Sequence, residues 1–174
     1  ANTSADCQEC SAGRFRAADA ADTTTCVDCP AGYSQSVAAS AICNPCMPGK
    51  AQDQAAQSEC TECRAQTFSN ESALLSCFRC AIGARADGLG STICQPCQAG
   101  EYGVDCDKCP QGWFRHGSNA DVSRCTTCSV GQYQDTLGSS ACTKCIPGSF
   151  QSQSGQALCG LCPAGQFSKF QAAT

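Results

Sequence analysis

Ten Cys-x-x-Cys pairs run through the 174-residue chain, beginning at Cys7, Cys26, Cys43, Cys60, Cys77, Cys94, Cys106, Cys125, Cys142 and Cys159. The intervals between them are 19, 17, 17, 17, 17, 12, 19, 17 and 17 residues. A period this short and regular defines a repeat protein whose single units are too small to fold alone. Leu, Ile, Val and Phe supply only 22 of the 174 residues, well below the roughly 20 % usual for a chain that folds by burying them. The 20 cysteines must therefore provide the cross-links that apolar burial cannot, as they do in small secreted modules.

Aligned on the second cysteine of each pair, the units share a glycine three residues later, at Gly13, Gly32, Gly49, Gly83, Gly100, Gly112, Gly131, Gly148 and Gly165; Gln66 is the exception. Pro48-Gly49 and Pro147-Gly148 fit a type II turn, with proline fixing φ before a residue that tolerates positive φ. Two residues further on comes an aromatic, at Phe15, Phe68, Tyr102, Phe114, Tyr133, Phe150 and Phe167. Tyr33 arrives one position early, and Ala51 and Arg85 stand in place of the ring. A recurring ring beside a disulfide is expected to act as the small core of its own module. The rest of each unit is Ala, Ser, Gln, Thr and Asp, so short extended segments and turns are expected with almost no helix.

Paired knuckles of this kind can also build four-cysteine zinc sites. The uniform recurrence, without two-knuckle domains or a basic binding face, favours disulfides, and no cofactor is expected. Two pairing schemes satisfy the spacing. One joins the second cysteine of each pair to the first of the next, giving Cys10–Cys26, Cys29–Cys43, Cys46–Cys60, Cys63–Cys77, Cys80–Cys94, Cys97–Cys106, Cys109–Cys125, Cys128–Cys142 and Cys145–Cys159. It leaves Cys7 and Cys162 over, as candidates for a bridge between subunits. The other links alternate pairs crosswise, Cys7 to Cys26 and Cys10 to Cys29, and uses every cysteine internally.

The string Cys-x-x-Cys-Pro-x-Gly-x-(Phe/Tyr), complete at Cys106 to Phe114 and Cys159 to Phe167, resembles the ephrin-receptor-like cysteine-rich repeats and, more distantly, tumour necrosis factor receptor modules. Similar repeats occur in surface proteins of protists and algae, including flagellar-hair proteins. The resemblance implies a small disulfide-rich repeat protein, an elongated ladder of short strands and turns. One continuous array over residues 1–174, with about ten repeats in 7–167, is expected, and the shortened loop predicts a kink at 97–106.

Net charge is −4 with no Lys/Arg cluster, which argues against nucleic acid. No stretch approaches a membrane span, so no membrane insertion is expected. The chain reads either as one that begins after removal of a leader or as a length of a longer array. The sole histidine, His116, lies in a polar loop without evident partners, and no carboxylate pair or nucleophile set suggests an enzyme. Asn2 and Asn70 head Asn-x-Ser/Thr sequons and are candidate glycan acceptors. Trp113 and Arg115, in Trp113-Phe114-Arg115-His116, are candidate binding residues. The expectation is a secreted structural protein at the cell surface, a subunit of a filament or appendage added head to tail. Its partners would be other copies of itself or extracellular structural proteins and glycans. The alternative is an adhesive or receptor-like ligand-binding ectodomain.

Overall fold

A computed structural model describes residues 7–22, 24–118 and 121–174. Among them, eighteen two-residue strands pair in chain order into nine antiparallel hairpins, from β1 (Arg14–Phe15) with β2 (Val27–Asp28) to β17 (Ser149–Phe150) with β18 (Gly160–Leu161). No helix occurs among the described residues. The result is a nearly all-β, disulfide-stabilised repeat architecture.

Each hairpin follows from the repeat pattern. In Met47-Pro48-Gly49-Lys50 the Lys50 N–H donates to the Met47 carbonyl at 3.0 Å and Gly49 takes φ +87°, the type II geometry expected of Pro-Gly. The strand leaving the turn pairs with the two residues between the next pair of cysteines, for example Lys50 with Glu62 and Ala51 with Thr61. The following cysteine extends the ladder, Cys63 N–H donating to the Gly49 carbonyl at 2.8 Å.

The bridges follow the first scheme. Nine disulfides join each second cysteine to the first of the next pair, from Cys10–Cys26 to Cys145–Cys159. Most close a span of 14 residues, and Cys97–Cys106 closes 9. In the loop-entropy account each closure of about 15 residues is worth roughly 3 kcal/mol. Cys7 and Cys162 carry no disulfide.

The core is made of sulfur rather than rings. Cys29, Cys46, Cys63, Cys109, Cys128 and Cys145 are fully buried, whereas Phe15, Phe68, Tyr102, Phe114, Tyr133 and Phe150 are half-buried and Phe167 is exposed. The rings thus lie nearer the surface than the bridged sulfurs.

The chain divides into two compact units. The first comprises Ala1–Cys80 and Ala86–Cys94, the second Ala81–Arg85 and Gln95–Thr174. Within each, main-chain hydrogen bonds run from module to module: in the first, Gly32 N–H donates to Gln52 C=O at 2.7 Å and Ala56 N–H to Cys29 C=O at 2.8 Å. In the second, Gly131 N–H donates to Gln151 C=O and Gly155 N–H to Cys128 C=O, at 2.7 and 2.8 Å. Backbone amides and carbonyls thus find partners in the neighbouring module, as buried peptide groups must.

Candidate functional site

Six residues after the second cysteine the side chain is buried in most modules, at Gln35, Gln52, Ser69, Ala86, Arg115 and Gln134. Glutamine recurs there, and it pins the loop at both ends. Gln52 Oε1 accepts from Gln54 N–H at 3.1 Å while its Nε2 donates to Glu59 C=O at 3.0 Å. Gln134 does the same with Thr136 and Ala141, and Gln151 with Gln153 and Leu158. These glutamines escape a reading centred on charged and aromatic residues. Their signal is the constant offset from cysteine.

With the loops pinned, an open groove forms between one hairpin and the disulfide of the following module, and it recurs in repeat register with different linings. Around Ser34, Met47, Lys50 and Glu59 it encloses about 440 Å³ and carries the charges of Lys50 and Glu59. Around Ala51, Arg64, Thr67 and Leu75 it encloses about 430 Å³. In the second unit the equivalent groove holds about 250 Å³ and is faced by Tyr133, Ile146, Leu158 and Leu161, with Asp135 at its edge. Ile146, Leu158 and Leu161 are 68, 65 and 83 % exposed, so three aliphatic side chains stand together in water on one face. One backbone frame therefore presents variable chemistry, charged in one module and apolar in another.

The candidate residues named from sequence are not gathered in one place. Trp113 is 38 % exposed on its strand. Arg115, two residues on, is only 1 % exposed. Its Nη2 donates to the carbonyls of Cys97 at 3.1 Å and Gln98 at 2.6 Å, and its Nε donates to Glu101 C=O. A guanidinium so engaged holds the turn of the preceding short module and is not presented to a ligand. The same turn is braced by Glu101, whose Oε2 accepts from Gln98 N–H at 3.0 Å and whose Oε1 lies 3.3 Å from Arg85 Nη1. His116 is exposed, with Nδ1 2.8 Å from Ser118 Oγ. Asn70 is exposed on a loop, and Asn2 lies outside the described residues.

Cys7 opens on a cavity of about 740 Å³ shared with Glu9, Arg14, Arg16 and Thr24. Among the described residues no group of three or more His, Cys, Asp or Glu could hold a metal ion. No helix there is long and apolar enough to cross a membrane.

Residues 116–147 and 137–174 each match the family described as tyrosine-protein kinase ephrin type A/B receptor-like. Both stretches fall in the second unit. The match relates that part of the chain to a receptor-type, non-catalytic cysteine-rich module. No curated protein matches the chain significantly.

Proposed function

We propose that the chain is an extracellular binding module of the receptor or adhesion kind, engaging its ligand through the grooves between modules. The observation that carries this reading is the exposed aliphatic face of Ile146, Leu158 and Leu161 beside Tyr133. The equivalent grooves carry more charged side chains, Lys50 and Glu59 in one and Asp53, Glu62 and Arg64 in another, against Asp135 alone here, and clustered apolar exposure of this sort marks an interaction surface. The ephrin-receptor-like match over residues 116–174 and a ladder of nine disulfides, suited to an oxidising compartment, support it. Asn70, exposed in the first unit, is a candidate site for a glycan.

The test is surface binding of the labelled chain to intact cells and extracellular matrix. A variant carrying Ile146→Asp and Leu158→Asp is expected to lose at least about tenfold in affinity, the scale of a buried interface anchor. Glu59→Ala, in the equivalent charged groove, is expected to bind as the parent does. Equal binding by all three proteins would overturn the assignment.

A second reading rests on a different observation. Each bridge is local to its module, and main-chain hydrogen bonds join one module to the next in a uniform array within each unit. This favours a structural subunit added head to tail into a filament or appendage, an open form of assembly.

A further inference from the structure

The module that follows Cys63 carries a pair of rings that no other hairpin has. Phe68 of β7 (Thr67–Phe68) stands opposite Phe78 of β8 (Phe78–Arg79), with ring centroids 6.0 Å apart and planes inclined at 49°. The other rings at the place of Phe68 face Val27, Asp107, Thr126, Thr143 or Gly160 instead. Two rings in contact could serve as a buried miniature core, yet Phe78 is 50 % exposed and Phe68 only half-buried. By repeat register Phe68, Asn70 and Phe78 take the places of Ala51, Asp53 and Thr61, which line the groove of the preceding module.

The same module holds a sequon, Asn70-Glu71-Ser72, with Phe68 two residues before the asparagine. Residues two apart in extended chain share a face, and burial follows that alternation: Phe68 is half-buried, Ser69 fully buried and Asn70 exposed. Ser69 is held through both its peptide groups, its N–H donating to Ser91 C=O at 3.1 Å and its carbonyl accepting from Gly49 N–H at 2.8 Å. Its hydroxyl donates to Glu71 C=O at 3.0 Å. Asn70 therefore projects from a fixed backbone, on the face that carries the rings. Ser72 is exposed as well, and among the described residues neither the Asn70 amide nor the Ser72 hydroxyl is engaged in a side-chain hydrogen bond.

We propose that Asn70 carries an N-linked glycan whose first N-acetylhexosamine seats on the Phe68–Phe78 pair and caps that groove. The face of a phenyl ring is the negative side of its quadrupole, and one face of such a sugar presents axial C–H bonds of partial positive charge. Residues two apart on a strand lie about 6.6 Å from each other, which lets the sugar on Asn70 fold back over the Phe68 ring. In the transfer, the Asn70 amide nitrogen bonds to the anomeric carbon of a lipid-pyrophosphate-linked oligosaccharide. The anomeric carbon–oxygen bond breaks, the lipid pyrophosphate leaves with the electron pair, and the amide gives one proton to a base of the transferase. The inference rests on the extracellular placement of the reading above and not on its apolar groove.

Glycopeptide mass analysis of the full chain, secreted from a eukaryotic cell line, should find Asn70 occupied, and Ser72→Ala should abolish that occupancy. After trimming to a single N-acetylglucosamine, carbon–proton NMR should show the sugar C–H and N-acetyl signals moved upfield by the ring currents. Phe78→Leu, which keeps apolar bulk and loses the ring, should return them most of the way to their positions in the denatured glycopeptide. Amide exchange across Thr67 to Arg79 should be about threefold slower with the sugar than after its enzymatic removal, the scale of one aromatic contact. That protection should vanish in Phe78→Leu. A secreted, folded chain with Asn70 bare would overturn the site while leaving the binding reading to its own test at Ile146 and Leu158. Occupancy with sugar signals at their denatured positions, in the parent and in Phe78→Leu alike, would keep the glycan and overturn its seat on the rings.

Discussion

Arg16 and Arg115 occupy the same place in two copies of one sequence pattern, yet one side chain is exposed and the other is 1 % exposed. Their loops have the same 16-residue span between bridged cysteines, and both main-chain amides make the same bond. The difference is what lies against them: Arg115 bonds the carbonyls of the Cys97–Glu101 turn, whereas Arg16 lines an open cavity. A repeat residue thus has no fixed role of its own. Its burial and energetic weight are set by the neighbouring module, as expected where each unit contacts chiefly its neighbours.

The sharpest way to break this comparison is to truncate both side chains. Arg115→Ala strands three carbonyls of a tight turn, and a cost of about 4 kcal/mol is expected from losing their charged donor. Arg16→Ala in the isolated chain should stay within about 0.5 kcal/mol of the parent, as surface changes do. Calorimetry on the two variants, with disulfides intact, checks the contrast. Similar losses at both positions would mean that the exposed arginine already has an equivalent partner in the single chain.

A second pair, again 99 residues apart, separates strain from crowding. Gly49 and Gly148 have φ +87° and +83°, but a Cβ on Gly49 would lie 2.3 Å from the Gly90 carbonyl oxygen, whereas one on Gly148 meets nothing within 4 Å. Gly148→Ala should cost only the left-handed backbone penalty, about 1 kcal/mol. Gly49→Ala adds a backbone collision, and about 3 kcal/mol is expected once overpacking is included. A thermal midpoint lowered equally by both would show that φ alone matters.

Gln66 sharpens the point from the other direction. It is the one non-glycine at this turn position, at φ +65°, with a buried Oε1 that lacks a hydrogen-bond partner. Gln66→Gly relieves the left-handed conformation and removes the orphaned oxygen, and should raise stability by about 1 kcal/mol. An unchanged or lowered midpoint would mean that the glutamine side chain has packing value that offsets both.

Much of this frame is written in the cysteine period. The turn glycines, the hairpins and the near absence of helix follow from spacing and local chemistry, since each lies within a single module. Pairing of the cysteines is less local. Both the ladder and the crosswise scheme fit the intervals, and the choice rests on a hairpin register that carries each second cysteine to the first cysteine of the next pair. Arg115 is less legible. Next to Trp113 and His116 it has the look of an exposed loop residue, but its offset of six from Cys109 places it where Gln52 and Gln134 point inward. Burial then depends on carbonyls at Cys97, Gln98 and Glu101, contributed by another module and invisible to any pattern confined to one repeat. The apolar groove has the same origin: Tyr133, Ile146 and Leu158 are separate in sequence and meet only because successive hairpins stack.

The smallest effect concerns the two long loops, where Asp22 and Asp121 again stand 99 residues apart. Asp22 accepts from Thr24 N–H at 2.7 Å, Thr24 Oγ1 at 2.6 Å and Thr25 Oγ1 at 2.8 Å. Its carboxyl is pushed down from 3.8 to about 2, chiefly by the Thr24 hydroxyl and amide, with the charge of Arg16 contributing least. Asp121 is lowered too, first by the Ser123 hydroxyl and amide. A carboxyl whose pKa is lower in the folded chain favours folding above its unfolded value, and that contribution is lost as pH falls through the folded value. For Asp22 the window runs from about 4 down to about 2, and the sign is a thermal midpoint that declines with acid. Asp22→Asn should flatten part of that decline, and carbon-detected titration of the Asp22 carboxyl should give a midpoint near 2. Because Arg16 ranks last among the causes, Arg16→Ala should raise that midpoint only slightly. A large rise would show that Arg16 is held against Asp22 rather than turned into the cavity.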